Sequence, residues 1–323
     1  MWSRGAIFIL AYIAASRMLK SCRNIWIACP TPIVCAHRAS SFRSAHSLML
    51  KVSSVFAIFS SACIRPQQKS ARDMKNNLTL GIMQPYFFPY LGHFSLIAAV
   101  DEWIVFDITQ YTPRTWMNRN RILHPSSGWQ YVTVPLLNSS ISIKTSEAKI
   151  LNLSEAKASV LGKLIHYKKK APYFKAVNTL VNKVFDSATD NSLVNLNVCS
   201  LSAVCRYLEI PFTYRICSEL NLPLPEKLGA GEWALEICNM LGATRYVNPS
   251  GGQEIFDPAE FARHGISLHL AQTKEFVYIT APYQYGPNLS ILDVLMWNSP
   301  TVVADAVRNG IEITEKTAQE FNK

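Results

Sequence analysis
The sequence predicts an α/β fold built on a mainly parallel, Rossmann-like sheet with flanking helices. Short apolar runs of strand length alternate along the chain with longer amphipathic stretches. Capping signals mark where several of those stretches begin. The first strand, loop, helix and second strand also fit within about thirty residues, which makes a βαβ unit with parallel strands and a right-handed crossover.

Taken in order, Leu78–Ile82 is a buried-strand run. MQPYFFPYLGH (Met83–His93) follows as a stiff aromatic loop, and FSLIAAV carries its apolar residues on one helical face. WIVFD is the second strand. The block QYTPRTWMNRNRILHPSSGWQYVTVPL gathers Arg114, Arg119, Arg121, Asn118 and Asn120 around Trp116 and ends in the strand YVTVPL. Asn138–Thr145 is polar and expected to be exposed. From about Ser154 to Tyr207 the pattern is helical, a small helical lobe interrupted at Pro172. LEIPFTYRIC returns to strand character. Gly231–Leu241 reads as a helix, TRYVNP as a strand and SGGQ as a flexible loop. Asp257, Pro258 and Glu260 supply an N-cap, a proline at N1 and a glutamate at N3. ISLHLA is another strand. Ser290–Asp293 is a second capping signal, with Asp293 read as a cap, and Pro300 opens a final helix.

Charge divides the chain in two. The whole carries 32 basic and 22 acidic side chains, but residues 1–73 hold ten of the basic ones and a single acid, Asp73. From Met74 onward the two signs balance, which removes the reason to expect nucleic acid as a partner. Residues 1–73 are rich in Ser, Arg and Cys and show no clean period. Met74 is therefore expected to be the initiator, and 74–323 the folded α/β domain. A signal peptide on MWSRGAIFILAYIAAS or a transit peptide is the competing reading. That apolar run is shorter than the ~20 residues a membrane span requires, so no stable membrane insertion is expected. Cys199, Cys205, Cys217 and Cys238 lack metal-ligand spacing and are expected to be free, mostly buried thiols in a reducing cytosol.

The candidate site lies where the first strand ends, because ligands of open α/β sheets bind at the carboxyl ends of their strands. The helix beginning near Gly92-His93 offers an anion its free N–H groups. Pro85 and Pro89 stiffen the loop, and Tyr86, Tyr90 and His93 supply polar tips and stacking faces. His93 and Tyr90 are the candidate catalytic residues, the helix end being expected to depress the His93 pKa. Phe87, Phe88 and Tyr90 as core plugs is the competing reading. Arg119, flanked by Asn118 and Asn120, suits a phosphate or carboxylate. Gln84, Asp107, Ser250, Gly251 and Gly252 complete the candidate binding set. His166-Tyr167 is either an acid/base pair or an ordinary helix face. No metal ligands are assigned.

MQPYFFPYLGHFSLI, the D-x-x-Q-Y of Asp107–Tyr111, and WMNRNRI together resemble the WbqC-like protein family. YVTVPL, HYKKKAPYF, GATRYVNPSGGQEIFD and LSILDVLMWNS follow in the family's order, from about Leu78 to Asn309. The resemblance implies a bacterial cytoplasmic protein of O-antigen or other surface-glycan synthesis. It would bind a nucleotide-linked amino sugar or an activated acyl or aminoacyl donor and transfer a group. P-Y-L-G-H also resembles, more distantly, the HxGH region of nucleotidylyltransferases. That likeness implies a related fold and an alternative ATP-dependent activity with Mg²⁺, although Tyr90 stands at the first histidine position. A non-catalytic ligand-binding or scaffold protein of the glycan machinery is the third expectation.

Overall fold
The computed structural model describes residues 77–225 and 227–317. Residues 1–73 and Met74, on which the expectation of an alternative start rests, lie outside them.

Six strands form the main sheet: β1 (Thr79–Met83), β2 (Glu102–Val105), β5 (Tyr214–Ile216), β6 (Arg245–Pro249), β7 (Ser267–Thr273) and β8 (Ile311–Glu315). Their order across the sheet is β5-β2-β1-β6-β7-β8. Every neighbouring pair is parallel except β7 with β8. Successive side chains of a strand point to opposite faces, and two cores follow from that. Leu80, Ile82, Ile104, Tyr246 and Leu268 face α5 (Glu232–Leu241) and α6 (Pro258–Arg263), packing with Ile237, Cys238 and Phe261. Trp103, Val105 and Val247 face the other way, into a larger core shared with α1 (Leu91–Ala98), α7 (Ile291–Trp297) and α8 (Pro300–Asn309). The predicted mainly parallel sheet with flanking helices is what the chain forms.

The predicted strand YVTVPL is real but lies elsewhere. It becomes β4 (Trp129–Thr133), paired antiparallel with β3 (Arg119–Leu123) in a separate two-stranded ribbon. The helical stretch resolves into α2 (Leu153–Leu164), α3 (Phe174–Ser187) and α4 (Leu193–Tyr207). A 3₁₀ turn at Ile165–Lys169 separates the first two, just before Pro172. Their inner faces join the larger core through Val160, Val177, Val181 and Leu201. Among the described residues no helix is long and apolar enough to cross a membrane.

Two local expectations change in detail. Asp257 does cap α6, accepting from Ala259 N at 2.9 Å. Glu260, however, pairs with Arg263 at 2.6 Å. SGGQ is the start of a 3₁₀ turn, Ser250–Ile255, whose last residue lies against Gly231. A Cβ on Gly231 would sit 1.9 Å from the Ile255 carbonyl oxygen. Backbone cannot yield as a side-chain tip can, so Gly231→Ala is expected to cost about 2–3 kcal/mol. Urea unfolding of the variant checks this, and an unchanged midpoint would show that the turn moves freely.

Candidate functional site
β1 feeds its crossover toward β2 on one side, while β6 feeds toward β7 on the other. The carboxyl ends of β1 and β6 therefore form a topological switch point, where open α/β sheets leave a crevice. Beside it lies a cleft of about 630 Å³. One wall is the aromatic loop, through Tyr86, Pro89 and Tyr90. A second is the ribbon region, through Trp116, Asn120 and Arg121. The third is the segment leaving β7, through Thr273, Lys274, Glu275 and Asn288.

The aromatic loop splits between the two roles foreseen for it. Phe87 and Phe88 are fully buried in the core. Tyr86 and Tyr90 reach the cleft, their phenols raised above the ordinary tyrosine value by burial. Loop carbonyls are tied down from distant parts of the chain. Asn197 on α4 donates to Pro85 O at 2.8 Å, and Asn120 donates to Phe87 O at 3.1 Å and Phe88 O at 2.9 Å. Ser290 Oγ donates to Phe88 O at 2.7 Å. Phe88 itself has φ 39, a conformation costly for a bulky residue that persists only where its surroundings over-determine it.

α1 begins at Leu91 with Tyr90 in the N-cap position, no side-chain cap and no acid in its first turn. Its positive end is thus left without a cap or an acid from its own first turn. Gly92 allows the walls to close over it, since a Cβ there would lie 2.5 Å from the Tyr90 ring and 2.7 Å from Thr273.

His93 is placed differently from Tyr90. It is 2% exposed, with its ring 4.9 Å from Trp103 and 5.5 Å from Tyr86. Its Nε2 is buried with no hydrogen-bond partner among the described residues. The pKa is pushed down to about 3, as the helix-end argument required in direction, but the cause is burial. In this arrangement the ring lies behind Tyr86 and is not among the residues lining the cleft.

The other nominated residues divide similarly. Arg119 stacks its guanidinium 4.1 Å over Tyr131 and donates to Arg114 O, outside the cleft lining. Arg121, two residues along the same strand, lines the cleft. Its guanidinium lies 5.3 Å from the Trp116 ring and 5.1 Å from Trp129. Among the described residues neither Arg121 nor Lys274 has a carboxylate partner. Asn118 bonds to Tyr111 and Val134 O. Asp107 is 1% exposed and accepts from Ser218 N at 2.9 Å and Ser218 Oγ at 2.6 Å, closing the turn after β5. Gln84 Oε1 lies 3.5 Å from the Tyr86 hydroxyl. Ser250, Gly251 and Gly252 stand at the carboxyl end of β6 but do not line the cleft.

Sequence reasoning passed over Lys274 and Glu275, which follow directly on the strand ISLHLAQT. A charged pair just past a strand's carboxyl end was the available signal. It also took Asp293 for a cap. Ser290 performs that task, accepting from Leu292 N at 3.2 Å. Asp293 turns inward, fully buried, accepting from the hydroxyls of Tyr167 and Tyr278, the latter at 2.7 Å. Tyr167 in turn accepts from Leu123 N on β3 at 3.0 Å. Burial raises the Asp293 pKa, against the opposing effect of both phenols. Tyr278 and Tyr285 line a small cavity behind Lys274 and Glu275, and Tyr285 donates to Glu275 at 3.1 Å. His166 keeps Nδ1 on Lys163 O at 2.8 Å and packs on Tyr167.

The four described cysteines are free, and burial pushes Cys205 and Cys217 up to about 12, so neither is a thiolate near neutral pH. Among the described residues no group of three or more His, Cys, Asp or Glu is placed to hold a metal.

The model of the WbqC-like protein family matches residues 84–305. An uncharacterized protein of Mycobacterium tuberculosis, Rv1507c, is 30% identical over 220 residues, covering 67% of this chain and 92% of that protein. No solved structure matches.

Proposed function
The chain belongs to the WbqC-like protein family, and from that premise we propose that its cleft binds a nucleotide-linked sugar or an activated acyl or aminoacyl donor and transfers a group. The observation that carries this reading is the pair of cations, Arg121 and Lys274, that have no carboxylate partner among the described residues and line the cleft beside the uncapped start of α1. An anion such as a diphosphate matches that charge, since guanidinium forks take phosphate oxygens bidentately and helix N-termini favour negative charge. Tyr86, Tyr90 and Trp116 supply the flat walls a ring-bearing ligand fills. Tyr90 remains the candidate for contact with the reacting group, with Glu275 as the carboxylate of the wall that follows β7. A cytoplasmic setting, where such donors are made, belongs to this proposal, as does a role in surface-glycan synthesis.

The nucleotidylyltransferase alternative asks more of the site. It needs a histidine on the ATP phosphates, and His93 sits behind Tyr86. The fold relation to that group is likewise a proposal, supported by the strand, loop, helix order alone. Thermal-shift and calorimetric titration with UDP- and dTDP-amino sugars, ATP–Mg²⁺ and acyl-CoA separates the readings, because a ligand of the native state raises its stability. Arg121→Lys is expected to weaken binding of the anionic ligand about tenfold, through loss of the fork and of stacking, with little change in melting temperature. Arg119→Lys serves as the comparison. Equal losses from both would extend the site along the ribbon to Arg119, and no loss from Arg121→Lys would remove the cleft from consideration. Absence of binding by all of these compounds would favour a scaffold role.

A further inference from the structure
The Arg121 side chain is held by rings more than by hydrogen bonds. Trp116 and Trp129 both lie against its guanidinium, and its Nε is buried without a partner among the described residues. One long contact, 3.4 Å from Nη2 to Asn288 O, completes its surroundings. Trp116 is nonetheless 38% exposed, and it lines the cleft. Its indole therefore offers uncovered ring surface beside the cation that would hold an anion.

We propose that Trp116 is a stacking platform for a planar heterocycle, so that the cleft takes the nucleoside diphosphate part of its ligand with the base on Trp116. This deepens, and rests on, the reading of the cleft as an anion site. Only a ribose separates base from diphosphate in such a ligand, so platform and cation must be neighbours, as Trp116 and Arg121 are. An acyl phosphate or a free diphosphate has no use for the indole. Stacking is tolerant of base identity because every base has a π-face. The buried amide in this wall does not read a base edge. Asn120 Nδ2 is spent on Phe87 O and Phe88 O, and Asn120 Oδ1 accepts from Arg121 N at 2.8 Å.

The test is calorimetric titration of the full chain with UDP, ADP and inorganic pyrophosphate, repeated on Trp116→Ala, Trp116→Phe and Arg121→Ala. The tighter of UDP and ADP is expected to bind at least tenfold better than pyrophosphate. Trp116→Ala should remove that advantage, a loss of about ten- to a hundredfold, while leaving pyrophosphate affinity unchanged. Trp116→Phe should restore part of it, and Arg121→Ala should weaken all three ligands. Melting temperatures of the variants identify any loss due to unfolding, and Trp116→Phe then decides the matter. Nucleotide binding that survives Trp116→Ala but not Arg121→Ala would overturn the platform and leave the anion site standing. Failure of UDP, ADP and pyrophosphate alike to bind the unaltered protein would overturn both.

Discussion

Asp293→Ala is expected to lower the stability of the fold by about 3–5 kcal/mol, the combined cost of orphaning two buried donors and of the cavity left behind. Two phenols, Tyr167 and Tyr278, would be left buried without their acceptor, each at a cost of roughly 1–3 kcal/mol. The effect should be greater than burial of one small side chain implies, because Asp293 joins separate parts of the chain. Tyr167 lies in the turn before α3, Tyr278 in the segment that walls the cleft, and Leu123 on the ribbon. Asp293→Asn should cost less, since its amide oxygen still accepts from one phenol. It should also remove a pH dependence. Burial raises the Asp293 pKa, so stability is fuller below the unfolded value and declines as pH rises through the raised folded value. Urea denaturation at several pH values reads both effects. An alanine variant within 1 kcal/mol of the parent would mean that water reaches the phenols.

The second large effect is acid sensitivity centred on His93. Its folded pKa of about 3 lies far below the ordinary histidine value of 6.5. The unfolded chain therefore takes up a proton first as pH falls. Stability is intact above pH 6.5, is lost progressively below it, and levels off only near pH 3. Each unit in that window is worth about 1.4 kcal/mol, so roughly 2–3 kcal/mol should be gone by pH 4.5. Carboxylates titrate in part of the same range, so the measurement is the difference between the parent and His93→Leu. The leucine variant should match the parent within about 1 kcal/mol at pH 7, because it removes a polar atom that has no partner. It should then pull ahead as the solution is acidified. Parallel pH curves for the two proteins would show that water or a ligand reaches the imidazole.

The middle of the sheet was legible because β1 and β2 are buried on both faces and read as nearly unbroken apolar runs. The ribbon was less so. RNRIL alternates arginine with asparagine and isoleucine, so its cations hid a strand in which Arg119 and Arg121 share a face. Recognising that period of two would have shown that the two arginines come as a pair, but not which one reaches the cleft. That choice depends on Trp116 and Trp129, whose approach is a matter of tertiary packing. β8 was missed because IEITE is a short edge strand, apolar only at alternate positions. The aromatic loop was recognised as the place to look, and Tyr86 and Tyr90 do face the cleft. His93 could not be sorted from them by residue type, since a polar tip says nothing about which side of a helix meets Trp103.

The ties that shape the aromatic loop also have a kinetic consequence. Asn197 reaches Pro85 across 112 positions of sequence, and Ser290 reaches Phe88 across 202. Contacts so distant must close large loops before they return any stabilisation, which places them late in folding. During synthesis the strand-loop-helix unit at Thr79–Ala98 leaves the ribosome long before either partner exists. Until Ser290 and Ile291 emerge, the backbone of Phe88 and Pro89 lacks two of the groups that hold it. Until then the nascent protein carries a pair of large aromatic side chains whose backbone Asn120 and Asn197 can hold only in part.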